Sequence, residues 1–293
     1  MPFVLKKFTA VKDKKIQQFL IDEAGLSVSF SQKILAKGRV FDQEGNRLQN
    51  GQKLKGDYIQ VALFEGITRG LKPIFNSSDF ALFDKPSGVV VHPTSRNTDY
   101  SLLDEIRYHF GDDANLGHRI DQETSGLVLV TKNKYSDMLL KDMFENKQYN
   151  KEYLAIVKGK FTGKQNIDKP IKKALKSTIG VKMAVEVDGK ESYTEIESIC
   201  YDAVKDQTLL KAVPLTGRQH QIRVHLDSIG HSIVGDPIYN VDELYADQYL
   251  RKTLDEKKRL EVTGHHRLLL QANCLEFDYN KHHYKFYSRL NLI

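Results

Sequence analysis

Two hundred and ninety-three residues, 40% of them apolar, can bury a core of ordinary size, which excludes a disordered chain and allows one large domain or two. Lys and Arg number 44 against 38 Asp and Glu, for a net +6, and residues 1–70 hold 12 basic and 7 acidic side chains, so +5 of that imbalance lies in the first quarter. Cys200 and Cys274 support neither a disulfide framework nor a zinc site, and no apolar run approaches the roughly 20 residues that span a bilayer, so the expected setting is a reducing cytoplasm without membrane contact.

From Lys14 to about Gly25, apolar residues recur at Ile16, Phe19, Leu20 and Ala24, a helical spacing closed by a glycine. A second short helix is expected with Ser31 as N-cap, Ile34 and Leu35 buried, and Gly38 as its stop. Arg39-Val40-Phe41 and Tyr58–Val61 read as strands around turn-rich segments. Residues 1–62 thus form a small α+β domain, and 63–78, broken by Gly66, Gly70 and Pro73, read as a linker.

Residues 79–293 form the second predicted domain. Strand signals fall at Phe80–Phe83, Val89–Val91, Leu127–Val130, Tyr153–Val157, Ser192–Ile199, Thr208–Val213, Gln219–Leu226 and Leu268–Phe277, with helical patterns at Ser101–Phe110, Tyr135–Glu145 and the charged Val241–Arg259. Strands cluster rather than alternate strictly with helices, so the fold class is α+β with a mixed, mainly antiparallel sheet flanked by helices and loops.

Common catalytic signatures fail on spacing. Gly159–Lys164 is one residue short of a phosphate loop and is followed by Gln165, so it reads as a turn. No nucleophile elbow or zinc helix occurs, and the His265-His266 and His282-His283 pairs would point to opposite faces of a strand. No metal and no cofactor are expected.

Two segments carry unusual functional density. Gly117–Ser125 is a polar loop feeding the apolar run to Val130, where reactive side chains are commonly displayed; a plain Arg119–Asp121 surface ion pair is the alternative. Thr216–Leu226 alternates with period two, placing His220, Ile222, Val224 and Leu226 on one strand face and Gln219, Gln221, Arg223 and His225 on the other. That row of donors suits either a solvated face or phosphates and a carboxylate.

At these segments the chain resembles a known family, the pseudouridine synthases of the RluA type, which include ribosomal and tRNA enzymes. His118-Arg119-Ile120-Asp121 with Thr124–Leu127 resembles the catalytic stretch, and Gly217-Arg218-x-His220-Gln221-Ile222-Arg223-Val224-His225 the second signature. Asp84–Gly88 with Val91-His92-Pro93, Lys151-x-Tyr153-x-Ala155, Gly189-Lys190 before Thr194, and Gly235-Asp236-Pro237-x-Tyr239 follow in the family order, over about residues 79–278. The first domain is similar to the S-four RNA-binding domain through Ser29–Leu35, Gly38–Val40 and Gly56–Val61, although Lys15-Ile16-Gln17 replaces its usual Arg-Leu-Asp-like start.

The resemblance implies an isomerase that converts uridine in structured RNA to pseudouridine, favouring large-subunit rRNA over tRNA, as a monomer. It assigns Asp121 as the catalytic carboxylate, acting on the anomeric carbon or removing a neighbouring proton. Arg223 is its basic partner, expected to keep the carboxylate ionised, and Tyr153 is the aromatic that stacks on the flipped uracil. Arg119 resembles the side chain that fills the space the base leaves. His118, Gln122, Thr124 and Arg218 are expected to shape the loop or meet phosphates, and Lys33, Lys37 and Arg39 to hold RNA from the first domain. Gln271 and His282-His283 depart from the family's late-strand histidine and His-Pro, which bears on specificity. The alternative is a catalytically silent RNA-binding or ribosome-assembly protein, against which the intact Asp121, Tyr153 and Arg223 argue.

Overall fold

The computed structural model describes residues 3–93 and 98–292. They divide into two compact units, the chain up to Thr68 and the chain from Arg69 onward, with 98–100 grouping with the first.

The first unit runs β1 (Phe3–Thr9), α1 (Ile16–Asp22), α2 (Val28–Ala36), β2 (Val40–Phe41) and β3 (Tyr58–Phe64), with an antiparallel sheet in the order β1-β3-β2. Ile16, Phe19 and Leu20 sit on one face of α1 and meet Ile34, Leu35, Val40, Ile59 and Val61 in a single core. Ser31 does not cap α2. It is buried inside the helix, and Ser27 takes the cap, its hydroxyl accepting from Phe30 N at 3.3 Å. Gly38 follows the helix at φ 59°, the left-handed stop that a side chain rarely adopts. β1 carries no strand signal in sequence because most of its residues are exposed on both faces, so no alternation is imposed.

The expected linker is partly structured. β3 extends to Phe64, and β4 (Pro73–Asn76) pairs with β5 (Phe80–Lys85). Pro73 opens an edge strand, where its missing N–H costs no ladder bond.

The second unit continues with α3 (Leu102–Phe110), β6 (Asn115–Leu116), β7 (Ser125–Thr131), α4 (Lys134–Glu145), β8 (Tyr149–Lys158), β9 (Lys164–Asp168), β10 (Ile171–Lys173), β11 (Met183–Val185), β12 (Tyr193–Asp202), β13 (Gln207–Pro214), α5 (Gln221–Asp227), α6 (Glu243–Leu250), α7 (Glu256–Thr263), β14 (Leu270–Tyr279) and β15 (His282–Tyr287). Its large sheet has the order β4-β5-β7-β14-β8-β13-β12-β9, with β15 on β14 and β6 on β7; β7 and β14 are parallel and the other pairs antiparallel. The mixed, mainly antiparallel sheet is the one expected.

Every residue of β5 and β7 is buried, because both faces of the sheet centre are covered. Phe80, Leu82, Leu127 and Leu129 pack with Leu140 and Met143 of α4, while Phe83, Val128 and Val130 pack with Leu102 and Ile106 of α3. Period-two alternation thus sends successive side chains to opposite helices. Val89–Val91 is a loop rather than a strand: Val90 O and Val91 O accept from Leu102 N and Leu103 N, and Val91 is buried by α3. Gly126, at φ 106°, lets β7 approach β14: a Cβ there would lie 2.2 Å from Ala272 O.

The largest difference concerns Gln219–Leu226, which is helix α5 and not a strand. All of Gln221–Leu226 is buried, so polar and apolar side chains face protein alike and their alternation reports no solvent face. Ile222 and Leu226, one turn apart, pack into the sheet core, whereas Gln221 donates to Tyr193 O and His225 bonds Thr194 Oγ1 and Lys169 O. Gln221 and His225 are internal braces, not members of a phosphate-binding row.

Candidate active site

Asp121 sits on the loop between β6 and β7, and each side of that loop is tied down. On one side, His118 Nε2 accepts from Leu129 N at 3.1 Å and the ring packs on Phe144 at 5.0 Å. Loss of water around the imidazole, and then the Lys151 charge, push its pKa down to about 3, so it stays neutral. His118 therefore shapes the loop; its lone pair is spent on the backbone and it carries no charge for a phosphate.

On the other side the Asp84–Gly88 segment clasps the residues after Asp121. Lys85, fully buried, donates from Nζ to Gln122 O and Pro86 O at 2.9 Å each, and Ser87 Oγ donates to Glu123 O at 2.6 Å. Burial brings the Lys85 amine down to about 7 against the pull of Glu123 and Asp121, and a neutral amine still has two N–H groups for those two carbonyls. Asp84 is itself held by Ser288 Oγ at 2.8 Å and Leu290 N at 3.2 Å. Glu123 turns away from the pocket to Tyr249 and Arg259.

Arg223 reaches the loop from α5. Its Nη1 lies 3.3 Å from Asp121 Oδ2, while Nε and Nη2 each meet an oxygen of Asp236 at 2.8 Å. The side chains of Arg223 and Asp236 are 3% and 1% exposed, that of Asp121 28%. Burial disfavours the guanidinium charge, but Asp236 and then Asp121 more than offset it and hold its pKa above the usual value. Asp236 is in the mirrored position: burial raises its pKa, but Arg223 and the N–H groups of Ile238 and Tyr239 lower it by more, for a net fall. Gly235 precedes it at φ 79°, where a Cβ would strike Arg267 O.

Together these elements line a pocket of about 120 Å³ that includes Arg119, Asp121, Lys151, Tyr153, His220 and Arg223. Tyr153 is nearly buried on β8, and burial and then the nearby Asp121 charge raise its hydroxyl pKa. Lys151, two residues earlier on the strand, lies 4.6 Å over the Tyr149 ring and falls to about 8 through burial. The arrangement offers a partly hydrated carboxylate at the mouth, a permanent cation behind it and an aromatic face beside it. That suits nucleophilic attack or proton removal by the carboxylate on a bound substrate that carries a flat ring.

The pocket therefore gathers Asp121, Tyr153, Arg223, Arg119, Thr124 and Arg218; Arg119 and Arg218 are exposed at its edge, and Arg218 Nε donates to Glu191 O at 3.1 Å. Gln122 lies just beyond, bonded to Gly88 O. Lys33, Lys37 and Arg39 belong to the first unit, Lys33 and Lys37 exposed at the end of α2 and Arg39 4.0 Å over the Phe3 ring. Gln271 is buried and donates to Ser288 Oγ and Leu290 O, a bracing role away from the pocket lining. Asp236, Lys85 and Tyr239 carry no assigned role in the sequence, and the strand pattern sets His220 on the mostly apolar face, whereas here His220 lines the pocket. The Gly-Asp-Pro-x-Tyr block, with one acid between a glycine and a proline, was the signal for Asp236.

Residues 79–228 match the family described as RNA pseudouridylate synthase. An uncharacterized RNA pseudouridine synthase of Helicobacter pylori is 36% identical over 290 residues, 98% of this chain and 94% of its own. The ribosomal large subunit pseudouridine synthase D of Escherichia coli K12 is 29% identical over 71% of this chain and 65% of its own, and the mitochondrial tRNA pseudouridine(32) synthase of Saccharomyces cerevisiae 34% identical over 61% and 39%. The fold is similar to that of human RNA pseudouridylate synthase domain containing 1, with a TM-score of 0.59 at 24% identity, over 77% of this chain and 85% of that one.

Proposed function

The chain belongs to the RNA pseudouridylate synthase family, isomerases of the RluA type, and from that premise we propose that Asp121 is the carboxylate that isomerises uridine in structured RNA, with large-subunit rRNA the preferred substrate. The observation that carries this reading is the 3.3 Å approach of the buried Arg223 to Asp121 in a pocket that also holds Tyr153. A guanidinium fixed from behind by Asp236 holds a permanent cation against the carboxylate at the one place where it must act.

The reaction breaks the bond from the sugar to a uracil nitrogen, turns the ring, and rebuilds the link through a ring carbon. The hydrogen on that carbon leaves as a proton and the nitrogen gains one, so nothing is consumed. Asp121 serves either by attack at the anomeric carbon or by removing the adjacent proton. The target base has to leave its stack, at a cost of a few kcal/mol that is smallest in loops. In this reading Tyr153 offers a π-face in return, and Arg119, exposed among the pocket-lining residues, fills the vacated space.

The first unit is proposed to act as an S-four-like RNA-binding domain, in line with its +5 charge over residues 1–70. The preference for large-subunit rRNA draws on the name of the Escherichia coli relative, which aligns with more of this chain than the tRNA enzyme does.

RNA transcribed with uridine tritiated at the ring carbon that becomes bonded to the sugar tests the reaction: isomerisation releases tritium to water. Release from rRNA fragments but not from bulk tRNA supports the full reading. Release only from tRNA reverses the substrate preference, and none from either rejects the activity.

A further inference from the structure

His220 adopts the left-handed backbone conformation, φ 55° and ψ 19°, immediately before α5. A non-glycine residue persists there when its surroundings over-determine it, and such positions cluster at working sites. The constraint here is its ring. Nδ1 lies 2.9 Å from the Tyr239 hydroxyl, the two rings meet edge to face, and the His220 side chain is 9% exposed.

Tyr239 decides the tautomer. Its oxygen already accepts the Met183 N–H at 3.0 Å. The single hydroxyl proton needs an acceptor in this buried setting, and His220 Nδ1 is within reach. An imidazole that accepts at Nδ1 carries its proton on Nε2 when neutral. Burial and then the Arg223 charge, against Asp121 and Asp236, bring the ring down to about 4, so it is neutral near pH 7. Nε2 lies 4.0 Å from Asp121 Oδ2, past hydrogen-bond length, and His220 lines the same pocket as Asp121 and Tyr153.

We propose that His220 is a further catalytic residue, whose Nε2–H, oriented by Tyr239, donates a hydrogen bond to the uracil ring as the bond to the sugar breaks. The inference rests on the assignment of Asp121 to pseudouridine formation. By either route from Asp121, the electron pair of the broken bond stays on the uracil, so negative charge develops on the ring. His220 keeps its proton throughout and supplies only the hydrogen bond; the proton lost by the ring carbon and the one gained by nitrogen balance without it. A donor fixed in place before charge develops stabilises the transition state without reorganising. A neutral imidazole leaves Nε2–H for the uracil, whereas an imidazolium would turn that N–H to the Asp121 carboxylate 4.0 Å away. Tyr239 acts through His220 and is a positioning residue.

The test uses the full chain in single-turnover reactions on an rRNA fragment, with RNA affinity and thermal unfolding measured separately. His220→Gln keeps an N–H near the Nε2 position. His220→Asn tolerates the left-handed backbone but is too short to reach. The expected result is His220→Gln within about 10-fold of wild type and His220→Asn slower by roughly 10²-fold, with RNA affinity and unfolding unchanged. Tyr239→Phe, which frees the tautomer, falls between them. Wild-type speed in His220→Asn, equal losses in both His220 variants, or a loss that only tracks affinity overturns the assignment. Asp121→Asn is run alongside: full activity there rejects the reading of the whole site, whereas an inactive Asp121→Asn beside a fast His220→Asn rejects His220 alone.

Discussion

Asp236 grips Arg223 through two bonds of 2.8 Å, leaving one terminal nitrogen of the guanidinium to approach Asp121 at 3.3 Å. The pair is almost fully buried, so its two members are not equivalent to surface charges. Asp236→Ala should cost about 3–5 kcal/mol of unfolding free energy, since it strands a buried cation. Arg223→Lys keeps the charge but loses the planar fork, and the misplacement should slow catalysis by roughly 10²-fold. Urea unfolding and single-turnover rates measure the two effects; an Asp236→Ala protein as stable as wild type would contradict the burial argument.

The role proposed for Tyr153 uses its ring and not its hydroxyl. Burial and then the Asp121 charge raise the pKa of its hydroxyl, so the phenol stays protonated near neutral pH and offers no base. Tyr153→Phe should therefore stay near wild-type turnover, while Tyr153→Ala should lose about 1–3 kcal/mol of base stacking. Equal damage from both substitutions would assign the hydroxyl a role that stacking does not explain.

His118 predicts an acid-sensitive fold. Its folded pKa of about 3 lies below the ordinary 6.5, so between those values the unfolded chain binds the extra proton and stability falls as pH falls. His118→Gln keeps an oxygen that can accept from Leu129 N but does not titrate. Its stability should decline less steeply from pH 6.5 to 4, by up to about 1.4 kcal/mol per pH unit. Parallel declines for wild type and variant in chemical denaturation would remove His118 from the account.

Lys33 and Lys37 test the proposed RNA role of the first unit. Each phosphate contact contributes about 0.9 to the slope of log affinity against log salt on a duplex and about 0.7 on a single strand. The double change Lys33→Gln, Lys37→Gln should lower that slope by up to about 2 without altering turnover of bound RNA. An unchanged slope would make these lysines a solvated face. Arg39 is left out because its guanidinium lies on the Phe3 ring.

β5 and β7 are legible as short continuous apolar runs, because helices cover both faces of the sheet there and every side chain has an apolar neighbour. Period-two reasoning fails at Gln221–Leu226, where every side chain is buried and polarity reports hydrogen-bond partners instead of solvent. Asp121, Tyr153 and Arg223 are named through the family resemblance, from motif blocks that occur here in the family's order. What those blocks could not convey is who stands behind each residue. Asp236 behind Arg223, Tyr239 behind His220 and Lys85 behind the Asp121 loop are contacts between segments remote in sequence. One-dimensional spacing holds no record of such closures.

Asp121 is proposed to perform the isomerisation itself. Uridine-containing rRNA incubated with wild type or Asp121→Asn, then treated with carbodiimide and read by reverse transcription, measures it directly. The substitution removes the carboxylate charge with little change in shape, so RNA binding should persist while the stop at pseudouridine disappears. A stop of equal strength at equal times with Asp121→Asn would contradict the claim.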